Sequence, residues 1–239
     1  MIEPTIIARL RQNWQTVRSE VAAAAVSANR EPSAVQIIGV SKYVDAEATL
    51  ALVEAGCNQL GENRPQLLWK KNEQIVFPND IRWHLIGHIQ RNKLRRSLPF
   101  EPIIHSVDSP RLLAAIAAEA VAQSRVIKVL VEVNISGDEA KTGLSPEQVE
   151  RLLLDRPQQG AQIIGMMAMA GWGSEREEAK IQFSQTRQLR DDLQKKHSLP
   201  LPELSMGMSG DFNEAIAEGA TMVRIGSRLF EGCDFIRPL

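Results

Sequence analysis

At 239 residues the chain is long enough for one large domain or two small ones, and 44% apolar with 24% charged residues suits a water-soluble protein with a sizeable core. Lys+Arg 28 against Asp+Glu 29 leaves a formal charge of −1, which argues against a nucleic-acid or membrane-surface role; the basic run Arg91-Asn92-Lys93-Leu94-Arg95-Arg96 reads as a solvated helix face. Two cysteines, Cys57 and Cys233, make no disulfide framework, and an N-terminus with Glu3, Arg9 and Arg11 reads as neither signal peptide nor membrane span, so a cytoplasmic protein is expected.

Ile7, Leu10, Trp14, Val17 and Val21 recur at spacings of three and four and predict one amphipathic helix over residues 1–30, a flank to the rest of the chain. Next comes Val35-Gln36-Ile37-Ile38-Gly39-Val40-Ser41-Lys42, a largely β-branched run that predicts a strand buried on both faces and closed by a lysine. Asp45 to Ala55 predicts a helix, with Asp45 as N-cap and Gly56 as stop. Asn58 to Gly61 is the second strand, ending in Gly61-Glu62-Asn63, and a helix is expected after Pro65. Ile81 to Ile86 is the third, followed by Gly87 and a basic helix. Pro102 to Val107 is the fourth, and Ser109-Pro110 then supplies an N-cap with proline at the first helical position. Val126 to Ile135 is the fifth and longest, and Ser145-Pro146-Glu147-Gln148 has capping-box form. Gln162 to Met169 is the sixth, with Ser174-Glu175-Arg176-Glu177 as a second capping box before a long charged helix to Lys196. Glu203 to Met206, a helix from Asp211 to Glu218, and Thr221 to Ile225 complete the series.

Eight strands alternating with helices, without a linker, predict an α/β fold: a single-domain (β/α)8 TIM barrel over residues 1–239 with an extra N-terminal helix. An open doubly wound sheet is the competitor, but no Gly-x-Gly-x-x-Gly turn follows the first strand.

The working face of such a barrel is the C-terminal end of its strands, which brings Lys42, Asn63, Asn134 and Met167 to one mouth. An amine at the end of a buried strand sits in a low dielectric, which favours the neutral form that attacks carbonyls. The competing reading is a lysine that snorkels to solvent and does nothing. The seventh strand runs into Ser205-Met206-Gly207-Met208-Ser209-Gly210 before a helix start, and Gly226-Ser227 follows the eighth. Free backbone N–H groups, a helix dipole and the Ser209 hydroxyl suit a phosphate there, unless the glycines merely turn the chain. Arg224 points to the opposite face from Val223 and Ile225 and needs a partner, either a structural carboxylate or a ligand acceptor. Lysine, phosphate cradle and arginine together suggest a phosphorylated aldehyde. Gly207-Met208-Ser209-Gly210-Asp211 lacks the last glycine of a nucleophile elbow, and His84, His88 and His105 lack metal-ligand spacing with a cysteine. His84 alternates with Trp83 and reads equally as core or as site.

At these residues the sequence resembles the pyridoxal 5′-phosphate (PLP) homeostasis proteins, single-domain relatives of the alanine racemase N-terminal barrel. The resemblance rests on Val40-Ser41-Lys42, Gly61-Glu62-Asn63, Trp83-His84-Leu85-Ile86-Gly87 with Gln90-Arg91-Asn92-Lys93, and Lys141-Thr142-Gly143. Its longest piece runs from Ser205 through Asp211 and Ala215-Ile216 to Val223-Arg224-Ile225-Gly226-Ser227. It implies that Lys42 holds PLP as a covalent internal aldimine and that Ser209, Gly210, Gly226 and Ser227 hold the phosphate. Arg224 would face the pyridine nitrogen, with Asn63 and His84 near the ring. The implied function is uptake and release of PLP in vitamin B6 and amino-acid homeostasis, by a monomer without turnover of its own and with PLP-dependent apo-enzymes as recipients. Two positions depart from the family pattern: Glu231 follows Phe230 where glycine is usual, and Cys233 stands where arginine is common.

The alternative is a PLP-dependent amino-acid racemase, which needs an acid/base on each face of the cofactor. In the racemases resembled here one is the lysine and the other a tyrosine from a separate β domain, whereas this chain ends shortly after the eighth strand and holds one tyrosine, Tyr43. Tyr43 is expected to point away from Lys42 along an extended backbone. An arginine at the ring nitrogen would also weaken the cofactor as an electron sink. A lysine aldolase without cofactor shares the fold but leaves Arg224 unexplained.

Overall fold

The computed structural model describes residues 2–136, 142–171 and 175–233. Eight parallel strands follow one another around a closed barrel: β1 Gln36–Val40, β2 Gln59–Glu62, β3 Arg82–Leu85, β4 Ile103–Val107, β5 Ile127–Glu132, β6 Ala161–Met167, β7 Glu203–Met208 and β8 Met222–Ile225. Ile38 pairs with Arg224 and Gly39 with Ile225, which closes the ring and sets the end of β8 beside the end of β1. The helices are α1 Pro4–Ser27, α2 Ala46–Glu54, α3 Pro65–Gln74, α4 Leu94–Ser97, α5 Pro110–Ala122, α6 Pro146–Leu154, α7 Arg176–His197 and α8 Phe212–Ala217. None among the described residues is long and apolar enough to cross a membrane.

Strand alternation sorts the apolar residues into two cores. Leu60, Trp83, Leu85, Ile104, Val129, Leu204, Val223 and Ile225 face the helices within one large cluster. Ile38, Ile103, Leu130, Ile164, Met167 and Met222 form a separate cluster on the inner faces of their strands. Polar side chains share that interior, with His84, His105, Ser205 and Arg224 all buried.

Local signals decide most helix starts. Asp45 accepts the Ala48 N–H, Ser109 the Leu112 N–H, and Ser145 forms a reciprocal capping box with Gln148. Ser174 lies outside the described residues; α7 takes Glu175 as its N-cap, without a side-chain cap bond. The basic helix expected after Gly87 is only the four-residue α4 between two 3-10 turns, Arg91–Lys93 and Leu98–Phe100. Pro99 in the second turn has no N–H to extend a helix. The fifth strand stops at Glu132, not Ile135, because Val133 keeps only a single bridge, to Leu144.

β8 is followed by a 3-10 turn, Ser227–Phe230, and α1 packs against α8, α2 and that turn. The expected flank therefore fills the outer-layer position that a helix after β8 would take. Its stripe of Leu10, Trp14, Val17, Val21 and Ala25 is buried, at roughly 1.5–3 kcal/mol for each large side chain. The Asn13 amide donates to the carbonyls of Leu229 at 3.1 Å and Glu231 at 2.9 Å, and Arg228 pairs with Glu20. Arg30, just past α1, donates to the carbonyls of Ile216 and Ala220 and so closes the C-terminal end of α8.

Candidate functional site

Lys42 stands two residues beyond β1 rather than at its end. The Ser41 N–H still donates to the Gly61 carbonyl at 3.0 Å, and the Val44 N–H then turns back onto the Ser41 carbonyl at 3.1 Å. The turn leaves Lys42 half-buried, with Nζ 4.8 Å from the centroid of the Tyr43 ring. The extended backbone expected to part these two side chains is absent, and the exposed Tyr43 ring is a cation–π partner of the amine.

Behind this turn lies a buried network that the sequence reading missed. The Glu62 carboxylate accepts from the Ser41 hydroxyl at 2.7 Å and from Lys71 Nζ, which also donates to the Ser41 carbonyl at 2.8 Å. Glu62 and Lys71 thus anchor the residue that precedes Lys42. Burial pushes the Glu62 carboxyl up and the Lys71 amine down, and their contact opposes both shifts. The available signal was an acid at the end of a buried strand, which demands a partner as Arg224 does.

Arg224 lies on the inner face of β8, 5% exposed. Nη1 donates to the Ser205 carbonyl and hydroxyl, both at 2.7 Å, and Nη2 to the Ala168 carbonyl at 3.0 Å. Its direct partners among the described residues are therefore neutral oxygens, with Asp211 and Glu132 as nearby charges. Burial lowers its pKa to about 10, so it stays cationic at neutral pH. Three bonds do not exhaust a guanidinium's N–H donors.

Asn63 Oδ1 and Glu62 Oε2, at the end of β2, are buried acceptors to which nothing among the described residues donates. Gly87 lies against Asn63, where a Cβ would come 2.4 Å from the Asn63 carbonyl oxygen, so the loops after β2 and β3 approach as only glycine permits. On the far side of β1, the Ser209 hydroxyl accepts from the Gly226 N–H at 3.3 Å and ties the loop after β7 to the loop after β8. Gly207, at φ +86, lets α8 close on this loop; a Cβ there would meet the Ala215 Cβ at 2.6 Å. A Cβ at Gly210 would meet nothing within 4 Å, while one at Gly226 would lie 3.5 Å from the Val40 carbonyl oxygen. Ser227 is exposed at the start of the 3-10 turn, whose first N–H groups the turn itself cannot use. α8 has only six residues, and the Asp211 carboxylate takes the Met208 N–H at 2.5 Å. Any anion here would rest on loop N–H groups and hydroxyls more than on the helix dipole expected from the sequence.

His84 sits deeper. Its Nδ1 is 2.9 Å from His105 Nε2, and its Nε2 is 2.9 Å from Gln59 Oε1. Both ring nitrogens are thus engaged by protein partners inside the barrel, which is the core side of the two readings that the sequence left open for His84. Burial pushes His84 down to about 3 and His105 well below the usual range. Lys141 lies outside the described residues, and the Thr142 hydroxyl donates to Glu132. Among the described residues no group of three or more His, Cys, Asp or Glu could hold a metal.

The sequence profile of the alanine racemase N-terminal domain matches residues 7–233. The chain is 38% identical over 206 residues to the pyridoxal phosphate homeostasis protein of Aquifex aeolicus, covering 85% of this chain and 89% of that one. It is 35% identical over 231 residues to the pyridoxal phosphate homeostasis protein of Pseudomonas aeruginosa, covering 96% and 98%. Among solved structures, PipY of Synechococcus elongatus with PLP bound superposes with a TM-score of 0.83 at 34% identity, covering 92% of this chain and 99% of PipY.

Proposed function

This chain belongs to the alanine racemase N-terminal-domain family, among its pyridoxal phosphate homeostasis proteins, and from that premise we propose that it takes up and releases PLP through Lys42 without turning over a substrate. The observation that carries the reading is the tie between Ser209 and Gly226, which joins two open, N–H-rich loops against the end of the strand that leads into Lys42. The orphaned Asn63 Oδ1 and the spare donors of Arg224 fit the same ligand. When bound, PLP supplies an electrophilic aldehyde conjugated to an electron-poor ring.

Lys42 would hold the group through its amine, the aldehyde supplying a reversible, water-releasing condensation as the chemistry of capture. Uptake and release are thus one reaction run in two directions. The turn at Ser41–Val44 keeps the amine at the mouth, within reach of aldehyde and water alike. Ser209, Gly210, Gly226 and Ser227 would hold the phosphate, and Asn63 would accept from a donor on the ring. Arg224 would hold the ring nitrogen with a spare N–H, a donor that disfavours protonation there and would weaken the ring as an acceptor of electrons from an amino acid. The single tyrosine lies against Lys42 itself, so it does not furnish an acid/base for the opposite face.

In this reading the protein is a cytoplasmic monomer that passes PLP to PLP-dependent apo-enzymes. Cysteine usage this sparse, two residues and both buried, suits a reducing compartment. The test incubates PLP-loaded protein with L-alanine in deuterated water and follows deuterium at Cα and the D-isomer. Binding without turnover predicts a spectral change and no accumulating D-alanine. Steady, multiple-turnover production of D-alanine that is lost in Lys42→Ala would overturn the proposal in favour of a racemase.

A further inference from the structure

A line of hydrogen bonds crosses the barrel interior from Gln59, at the start of β2, to Arg224 on β8. Gln59 Oε1 lies 2.9 Å from His84 Nε2, His84 Nδ1 2.9 Å from His105 Nε2, and His105 Nδ1 2.9 Å from the Ser205 hydroxyl. That hydroxyl is in turn 2.7 Å from Arg224 Nη1.

Arg224 dictates the direction of the whole line. A guanidinium can only donate, so the Ser205 oxygen accepts from it, and the hydroxyl proton goes to His105 Nδ1, the other partner of that oxygen among the described residues. That nitrogen is therefore bare, and His105 carries its proton on Nε2. His105 donates to His84 Nδ1, which leaves the His84 Nε2–H for the Gln59 amide oxygen. The order imposed from the arginine end meets an acceptor oxygen at the far end, so every member is satisfied with both imidazoles neutral. A protonated His105 would instead take from the Ser205 proton its acceptor and set a second cation beside Arg224. Two histidines and a serine on inner strand faces cost more to bury than the aliphatic residues beside them unless fully paired.

We propose that Gln59, His84, His105 and Ser205 are positioning residues for Arg224, a proton-ordered strut that holds the guanidinium so that its spare N–H groups meet the ring nitrogen of the cofactor. This role rests on the PLP reading above. His84 then contributes to the site from behind, through Arg224, rather than by touching the ring. The strut also makes Ser205 selective: a hydroxyl accepts from Arg224 while donating onward, and a methyl group does neither.

The test has two arms. In cofactor-free protein, nitrogen-15 NMR of the imidazoles should show His84 and His105 each protonated at Nε2, bare at Nδ1, and unchanged over the pH range about 5–8 in which ordinary histidines titrate. A proton on Nδ1 of either, or titration in that range, would overturn the strut. In the second arm, Ser205→Ala should weaken PLP about tenfold and shift the absorption of the bound cofactor, and Ser205→Thr, which keeps the hydroxyl, should restore both. A Ser205→Ala protein that melts lower yet binds PLP with unchanged affinity and spectrum would show a purely structural line and overturn the role. Wild-type protein that takes up no PLP would overturn the reading on which the role rests, and would do so before any variant is compared.

Discussion

The Asn13 side chain, in the first helix, donates a 3.1 Å hydrogen bond to the Leu229 carbonyl, 216 positions further along the chain. With the second bond to Glu231, it fixes the turn that begins at Ser227. The Glu231 departure from the family pattern thus falls where the backbone carbonyl, not the side chain, makes the contact. Asn13→Ala should loosen PLP, because each lost hydrogen bond is worth about 0.5–1.5 kcal/mol and the phosphate loop is then free to move. Absorbance titration with PLP checks this, and unchanged affinity would disconnect α1 from the site.

Ser209→Ala and Arg224→Ala should differ in kind. Ser209 is a half-buried loop hydroxyl, so its loss should cost affinity, about 1–3 kcal/mol for a charged acceptor, and leave the cofactor-free fold intact. Arg224→Ala should cost both affinity and stability, since it opens a void and strips donors from Ser205 and Ala168. Thermal melts of the cofactor-free variants separate the two. An Arg224→Ala protein with unaltered melting would be incompatible with an arginine on the inner face of β8.

Stability should depend on pH through the buried histidines. His84 falls from 6.5 to about 3 on folding, so the unfolded chain binds a proton through that window and the native state does not. Its contribution is complete above about 6.5 and is lost toward 3, at about 1.4 kcal/mol per pH unit. His105 acts in the same sense, whereas Glu62 and Glu132, pushed up by burial, act in the opposite one. The stability gap between wild type and His84→Gln isolates the histidine and should narrow as pH falls below 6.5. A gap that stays flat would mean that His84 is not held neutral.

Periodicity carried the barrel because β-branched runs and helix caps are local signals. Pairing and turn geometry are not local. The inward face of Arg224 was legible from its flanking Val223 and Ile225, but its partners sit on β7, at Ser205, and just past the end of β6, at Ala168. Lys42 was legible as a strand-end lysine, yet the Ser41–Val44 turn that swings Tyr43 beneath its amine depends on the Gly61 carbonyl of the neighbouring strand. His84 read equally as core or site because its motif ends at Gly87, which lies against Asn63. Only the register across β2, β3 and β4 puts His84 between Gln59 and His105.

The central claim is that Lys42 is the residue that captures PLP. Protein loaded with PLP should show a visible Schiff-base band that borohydride bleaches, and peptide mass mapping of the reduced protein should find the adduct on Lys42. Lys71, buried behind the site and paired with Glu62, should carry none. An adduct on Lys71, or a Lys42→Ala protein that retains the reducible adduct at the same occupancy, would contradict the account.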